Sequence, residues 1–272
     1  RDRASFARKS ATSSTLTLQW AKNANATGYA IERYTGGKWV EILRTANNAT
    51  VTHTVNGLAA GTTYTFRIRA FNGSAYSGYT RLAATTLPSN VTSFIKKSGT
   101  ASTLNLQWAK NNSATGYVVE QYKGGKWTQI AVTKNNYTLT FTVKGLAECT
   151  PYSFRVKAYK NDGGKTNYSD YVTVKASTLL GTVKNAKVTL VTGSWITLEW
   201  AKNDKATGYS IEQYKGGKWT AITTTKNNTT LTFTVKGLAK GTTYSFRIKS
   251  FRKTGSTTEF SEYASVKVKT AE

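Results

Sequence analysis

The 272 residues contain no methionine, one histidine, one cysteine and two prolines. Each scarcity excludes something. A lone cysteine, Cys149, forbids any disulfide within the chain. A single histidine, His53, and a single cysteine, Cys149, fall in different copies of the repeat described below, which excludes ordinary zinc ligation and Cys/His catalysis. No run approaches the ~20 apolar residues of a membrane span. The opening Arg1–Asp2–Arg3 does not read as a signal peptide. The absence of methionine points to an excised segment of a longer protein. No glycine pair stands in a Gly-x-Gly-x-x-Gly or a full Gly-x-x-x-x-Gly-Lys-Ser/Thr frame, so no phosphate loop is indicated.

Acidic residues are also scarce: 13 against 38 basic ones, for a formal charge of +25. The excess is even along the chain, +8 over residues 1–87, +8 over 88–179 and +9 over 180–272. There is no basic tail. An evenly basic surface attracts polyanions (teichoic acids, acidic glycans, anionic lipid, nucleic acid) with strong salt dependence. It equally well maintains solubility.

What the chain does have is a threefold repeat, and repeats are read before anything else. Trp20, Trp108 and Trp200 each close one phrase: Leu-Thr-Leu-Gln-Trp-Ala-Lys-Asn, Leu-Asn-Leu-Gln-Trp-Ala-Lys-Asn and Ile-Thr-Leu-Glu-Trp-Ala-Lys-Asn. Trp39, Trp127 and Trp219 recur at the same spacings of 88 and 92 residues, as do Tyr64, Tyr152 and Tyr244. The four-residue difference falls in the loop before the last strand, Asn72–Ser77 in the first copy and Lys160–Ser169 in the second. Surface loops tolerate such insertions. The expected domains are 1–87, 88–179 and 180–272, entered near Pro88 and Gly181.

Alternation of period two dominates, as in Leu16, Leu18, Trp20 and in Tyr64, Phe66, Ile68, Ala70, which puts one face of each strand in a core and the other in water. Gly-Gly at 36–37, 124–125 and 216–217 supplies the positive φ angles of tight hairpins. About seven strands per copy, with turn signals every 8–12 residues, predict an all-β fold of three antiparallel two-sheet sandwiches.

The order of marks within each copy is more specific. Gly-Tyr-x-[Ile/Val]-Glu follows the tryptophan at Gly28–Glu32, Gly116–Glu120 and Gly208–Glu212. Gly-Leu-x-x-x-Thr-x-Tyr appears at Gly57–Tyr64 and Gly237–Tyr244, and the middle copy reads Gly145 to Tyr152. This order resembles the fibronectin type III family over essentially the whole chain. The resemblance implies seven-stranded sandwiches with sheets A-B-E and C′-C-F-G and a tyrosine corner. The bridge-free composition favours a bacterial surface or secreted type. Without Arg-Gly-Asp, integrin binding has no basis.

No catalytic constellation assembles, so no enzyme, catalytic residue, metal or cofactor is expected. His53 occupies the place of Phe141 and Phe233 and is expected on an inward face. Cys149 replaces a turn glycine (Gly61, Gly241) and is expected exposed. Glu32, Glu120 and Glu212 face outward on strand C, beside Arg67, Arg155 and Arg247 on strand F. Cross-strand ion pairs worth ~0.2–1 kcal/mol fit that placement.

Candidate ligand-binding residues are the aromatics Tyr34, Trp39, Tyr122, Trp127, Tyr214 and Trp219 with Lys126 and Lys218, which border the Gly-Gly hairpins and can stack on sugar rings or pack a protein. Module packing is the competing reading of the same residues. Trp195, found only in the third copy, is either an exposed aromatic or a contact with the preceding copy. Asn-x-Ser/Thr triplets, from Asn25 to Asn228, are read as composition.

The expected function is a non-catalytic spacer or adhesion segment of an extracellular bacterial protein. The alternative is a dedicated carbohydrate- or polyanion-binding module. Expected partners are a host or bacterial surface protein or polysaccharide, anionic polymers and neighbouring domains of the same polypeptide, with no specific nucleic acid.

Overall fold

The computed structural model describes residues 5–272; Arg1–Ala4, including the opening Arg1–Asp2–Arg3, lie outside the described residues. Every regular element among them is a strand. The first repeat contains β1 (Phe6–Ala11), β2 (Leu16–Trp20), β3 (Gly28–Thr35), β4 (Lys38–Arg44), β5 (Thr52–Val55), β6 (Thr63–Asn72), β7 (Ala75–Tyr76) and β8 (Thr80–Thr85). The second repeats this order as β9 (Ile95–Gly99), β10 (Leu104–Gln107), β11 (Gly116–Lys123), β12 (Lys126–Val132), β13 (Thr140–Val143), β14 (Pro151–Asn161), β15 (Thr166–Tyr168) and β16 (Val172–Ser177). The third has β17 (Lys187–Val191), β18 (Trp195–Glu199), β19 (Gly208–Lys215), β20 (Lys218–Thr224), β21 (Thr232–Lys236), β22 (Thr243–Thr254), β23 (Thr257–Phe260) and β24 (Ala264–Lys269).

Each repeat forms the two sheets that the resemblance implies. One is three-stranded, β1-β2-β5. The other has five strands, β4-β3-β6-β7 with β8 also on β6. The other repeats copy both sheets. The last strand is split, which raises the count to eight. Ser77 takes the Ala70 amide on its Oγ at 2.9 Å and donates its own amide to the Ala70 carbonyl, after which the chain leaves the sheet until Thr80. Ser169 on Ala158 and Ser261 on Ser250 repeat the device.

By contacts the chain forms two compact units. One holds residues up to 95 with 107–140 and 154–174; the other holds 96–106, 141–153 and 175–272. In the first unit, Leu16, Leu18, Trp20, Tyr29, Ile31, Phe66 and Ile68 make the core of the first repeat. Trp20 meets Tyr29 edge-on at 5.6 Å, and Trp108 meets Tyr117 at 5.5 Å. In the second unit, Ile196, Leu198, Trp200, Tyr209, Ile211, Phe246 and Ile248 form the corresponding core.

Local chemistry explains the turns. Gly36 and Gly37 have φ of +58° and +77°, the left-handed pair that a type I′ hairpin requires. The tyrosine corners are formed: the amides of Ala59, Ala147 and Ala239 donate to the hydroxyls of Tyr64, Tyr152 and Tyr244 at 2.7, 2.8 and 2.9 Å. His53 lies opposite buried Leu18 and is half-buried, like Phe141 and Phe233. Burial pushes its imidazole pKa down.

Cys149 departs from expectation. It does adopt the left-handed turn of the glycine it replaces, with φ of 48°. It is half-buried rather than exposed, because its side chain packs against the core of the third repeat.

Candidate functional site

The outward side of the five-stranded sheet carries the candidate residues. Strand pairing places Glu32 opposite Arg67 and Tyr34 opposite Trp39. The hairpin at Gly36–Gly37 turns Trp39 back over the sheet, towards Arg67. The Arg67 guanidinium carbon lies 4.4 Å from the centre of the Trp39 ring and 3.8 Å from that of Tyr79. Its Nε donates to Glu32 Oε2 at 2.6 Å, its Nη2 pairs with the same oxygen, and the Tyr79 hydroxyl donates to Glu32 Oε1 at 2.6 Å.

The stack then continues. Arg69 lies 4.8 Å from the Tyr79 ring centre and 3.9 Å from that of Tyr76. The result is a ladder, Trp39–Arg67–Tyr79–Arg69–Tyr76, of alternating rings and cations. The second repeat builds Trp127–Arg155–Tyr171–Lys157–Tyr168, with Glu120 held at 2.7 Å by Arg155 and at 2.6 Å by Tyr171. The third builds Trp219–Arg247–Tyr263–Lys249–Phe260, with Glu212 held by Arg247 and Tyr263, both at 2.7 Å.

The ion pairs are in the expected register, but they are not the solvated surface pairs that the alternation suggests. Glu32 is 8% exposed, beneath Arg67 and Tyr79. Burial by itself raises its carboxyl pKa. Hydrogen bonds from Tyr79 and Arg67, with the charges of Arg67 and Arg69, outweigh burial and hold the pKa below its ordinary value. Glu120 and Glu212 are lowered in the same way. Burial, and then the bond to Glu32, pushes the Tyr79 phenol up. A carboxylate so fully satisfied is a poor general acid or base.

The candidate aromatics therefore divide. Tyr34, Tyr122 and Tyr214 are 49%, 48% and 48% exposed, each ring 5.3 Å from its tryptophan. Trp39, Trp127 and Trp219 are half-buried, each with an arginine against the ring. Lys126 and Lys218 are exposed on the hairpins, opposite Lys123 and Lys215. Trp195 stands apart on the three-stranded sheet, 42% exposed and opposite Lys236. Sequence reasoning missed Tyr79, Tyr171 and Tyr263. Their 92-residue recurrence was the available signal.

Among the described residues there is no cluster of three or more His, Cys, Asp or Glu able to hold a metal, and no helix long and apolar enough to cross a membrane.

The fibronectin type III domain model matches residues 5–85, 88–175 and 181–267. Chitinase A1 of Niallia circulans is 34% identical over 183 residues, covering 61% of this chain and 24% of that protein. Exoglucanase B of Cellulomonas fimi is 27% identical over 284 residues, covering 95% of this chain and 25% of that protein. Receptor-type tyrosine-protein phosphatase eta of Mus musculus is 26% identical, covering 86% of this chain and 18% of that protein. The chain thus spans a quarter or less of the length of these relatives. A two-domain fibronectin type III segment of chicken tenascin aligns with a TM-score of 0.40 and 23% identity, covering 66% of this chain and 99% of that one. Domains of this family are generally non-catalytic modules. This chain belongs to the fibronectin type III family, as three domains in tandem.

Proposed function

We propose that the chain is a non-catalytic spacer array within a secreted or cell-surface bacterial protein, holding neighbouring domains of the same polypeptide apart. The carrying observation is the ladder. Its rings, cations and carboxylate satisfy one another in all three copies, so the most regular outward feature is architecture rather than a vacant binding site. The similarity to parts of a chitinase and an exoglucanase supports a place beside polysaccharide-acting domains. The test is to excise one, two or all three repeats from the parent protein and to replace them with unrelated sandwich modules of equal length. A spacer predicts that activity on an insoluble polymer falls with each excision and returns with the replacement. Failure of unrelated modules to restore it argues against a spacer.

A second reading, capture of a glycan or anionic polymer, is favoured by one observation: Tyr34, Tyr122, Tyr214 and Trp195 stay exposed among lysines. Retention on a glycan array that is lost on Trp195→Ala, or on Tyr→Ala at the three hairpins, supports this reading. Steep loss with added salt would mark the polyanion form.

A further inference from the structure

Arg8 bridges the first and second repeats at their joint. In the first unit, Arg8 Nη1 donates to the Thr85 carbonyl at 2.5 Å and to Asn167 Oδ1 at 2.7 Å. Thr85 ends β8 of the first repeat; Asn167 is on β15 of the second, 159 residues from Arg8. Asn167 is only 4% exposed, and its Nδ2 donates to Asp162 Oδ2 at 2.9 Å. Burial alone raises the Asp162 carboxyl pKa. Hydrogen bonds from the Thr85 side chain, Asn167 and the Lys165 amide, with the charge of Arg8, hold it lower. Arg8, Asn167, Asp162 and Thr85 thus close a ring of contacts across the joint.

The chain between the repeats is tied from both sides. The Leu87 amide donates to the Thr12 carbonyl at 2.9 Å, Pro88 is buried, and the Ser89 amide donates to Ser113 Oγ at 2.9 Å. Asn111 Nδ2 donates to the Ser89 carbonyl at 2.6 Å. A Cβ on Gly61 would sit 2.0 Å from the Ser113 carbonyl oxygen, so two backbones touch where only glycine fits.

Sequence differences make the Arg8 contacts particular to the first joint. The equivalents of Arg8 are Lys96, which donates to the Ser177 carbonyl of its own repeat at 2.8 Å, and Val188. The equivalents of Asp162 and Asn167 in the third repeat are Thr254 and Glu259, and the first repeat's loop is four residues shorter. We infer that the longer loop of the second repeat is a clasp for Arg8, and that it makes the first joint of the array stiff. The inference rests on the spacer reading, for which it names the stiff element.

The test uses the full chain with Cys149→Gly to remove the native thiol. Nitroxide labels at Lys38→Cys and Lys126→Cys, both exposed positions, report the inter-repeat distance by pulsed electron paramagnetic resonance. A narrow distribution is expected, broadened at least about twofold by Arg8→Ala and by Asn167→Ala, and unchanged by Lys96→Ala. If Arg8→Ala weakens the first repeat itself through Thr85, Asn167→Ala carries the test alone, since it lies in the other repeat. A broad parent distribution, or no broadening with Asn167→Ala, overturns the clasp. Neither result touches the spacer reading, which stands or falls on the module-replacement experiment.

Discussion

The guanidinium carbon of Arg67 lies 4.4 Å from the centre of the Trp39 ring, although the two residues stand on different strands with β3 between them. That contact, present in all three copies, makes the half-buried tryptophan a stability residue. A cation–π contact of ~0.5–2 kcal/mol, with some apolar burial, predicts that Trp219→Ala costs about 1–2 kcal/mol. Trp200→Ala, which empties the core, is expected to cost about 3–5 kcal/mol. Hydrogen exchange of third-repeat core amides in the whole chain reads both losses. A Trp219→Ala variant with parental protection would show that the stack contributes nothing.

The carboxylates make stability depend on acid. Glu32, Glu120 and Glu212 titrate below the ordinary value of 4.5 in the folded chain. As the pH falls, unfolded chains bind these protons first, so stability is complete above pH 4.5 and is lost as the pH drops through the native values. Melting temperature measured from neutral pH down to about pH 2 should fall less steeply in the triple Glu→Gln variant than in the parent. Parallel curves would contradict the assignment.

Tyr244→Phe removes the acceptor for the Ala239 amide while leaving the ring. The bond is exposed, so the expected cost is about 0.5–1.5 kcal/mol, towards the lower end. Urea denaturation of the parent and variant chains measures it, and an equal loss is expected for Tyr64→Phe.

Gly28→Ala tests close approach rather than backbone freedom. A Cβ there would lie 2.6 Å from Phe71 Cζ and 2.7 Å from the Thr45 carbonyl oxygen, and the second of these is backbone. Overpacking of this kind costs about 1–3 kcal/mol. Gly36→Ala meets open space but keeps φ at +58°, where strain alone predicts about 1–2 kcal/mol. Thermal melts of the two variants separate the causes: a compensating Phe71→Leu should recover part of the first loss and none of the second.

Much of the fold was legible because it is written in local pattern. Leu16, Leu18 and Trp20 alternate with polar neighbours, and their burial follows from the pleat of a strand. Glu32 and Arg67 were also legible as a pair, since neighbouring strands bring equivalent positions together. What period two cannot register is a ring swung over the sheet from a loop. Tyr79 sits in the gap between β7 and β8, so nothing in the alternation announced that it caps Glu32 and flanks Arg67.

The sequence alone determined the threefold all-β repeat, its core and its hairpins. Those properties depend on residue type and spacing over a few positions. The tertiary structure decided which aromatics remain exposed and that Glu32 lies buried under Arg67 and Tyr79. It also decided that Arg8 reaches Asn167 across 159 residues. Such facts depend on which distant side chains fold back onto the same few ångströms of surface, and no local period encodes that distance.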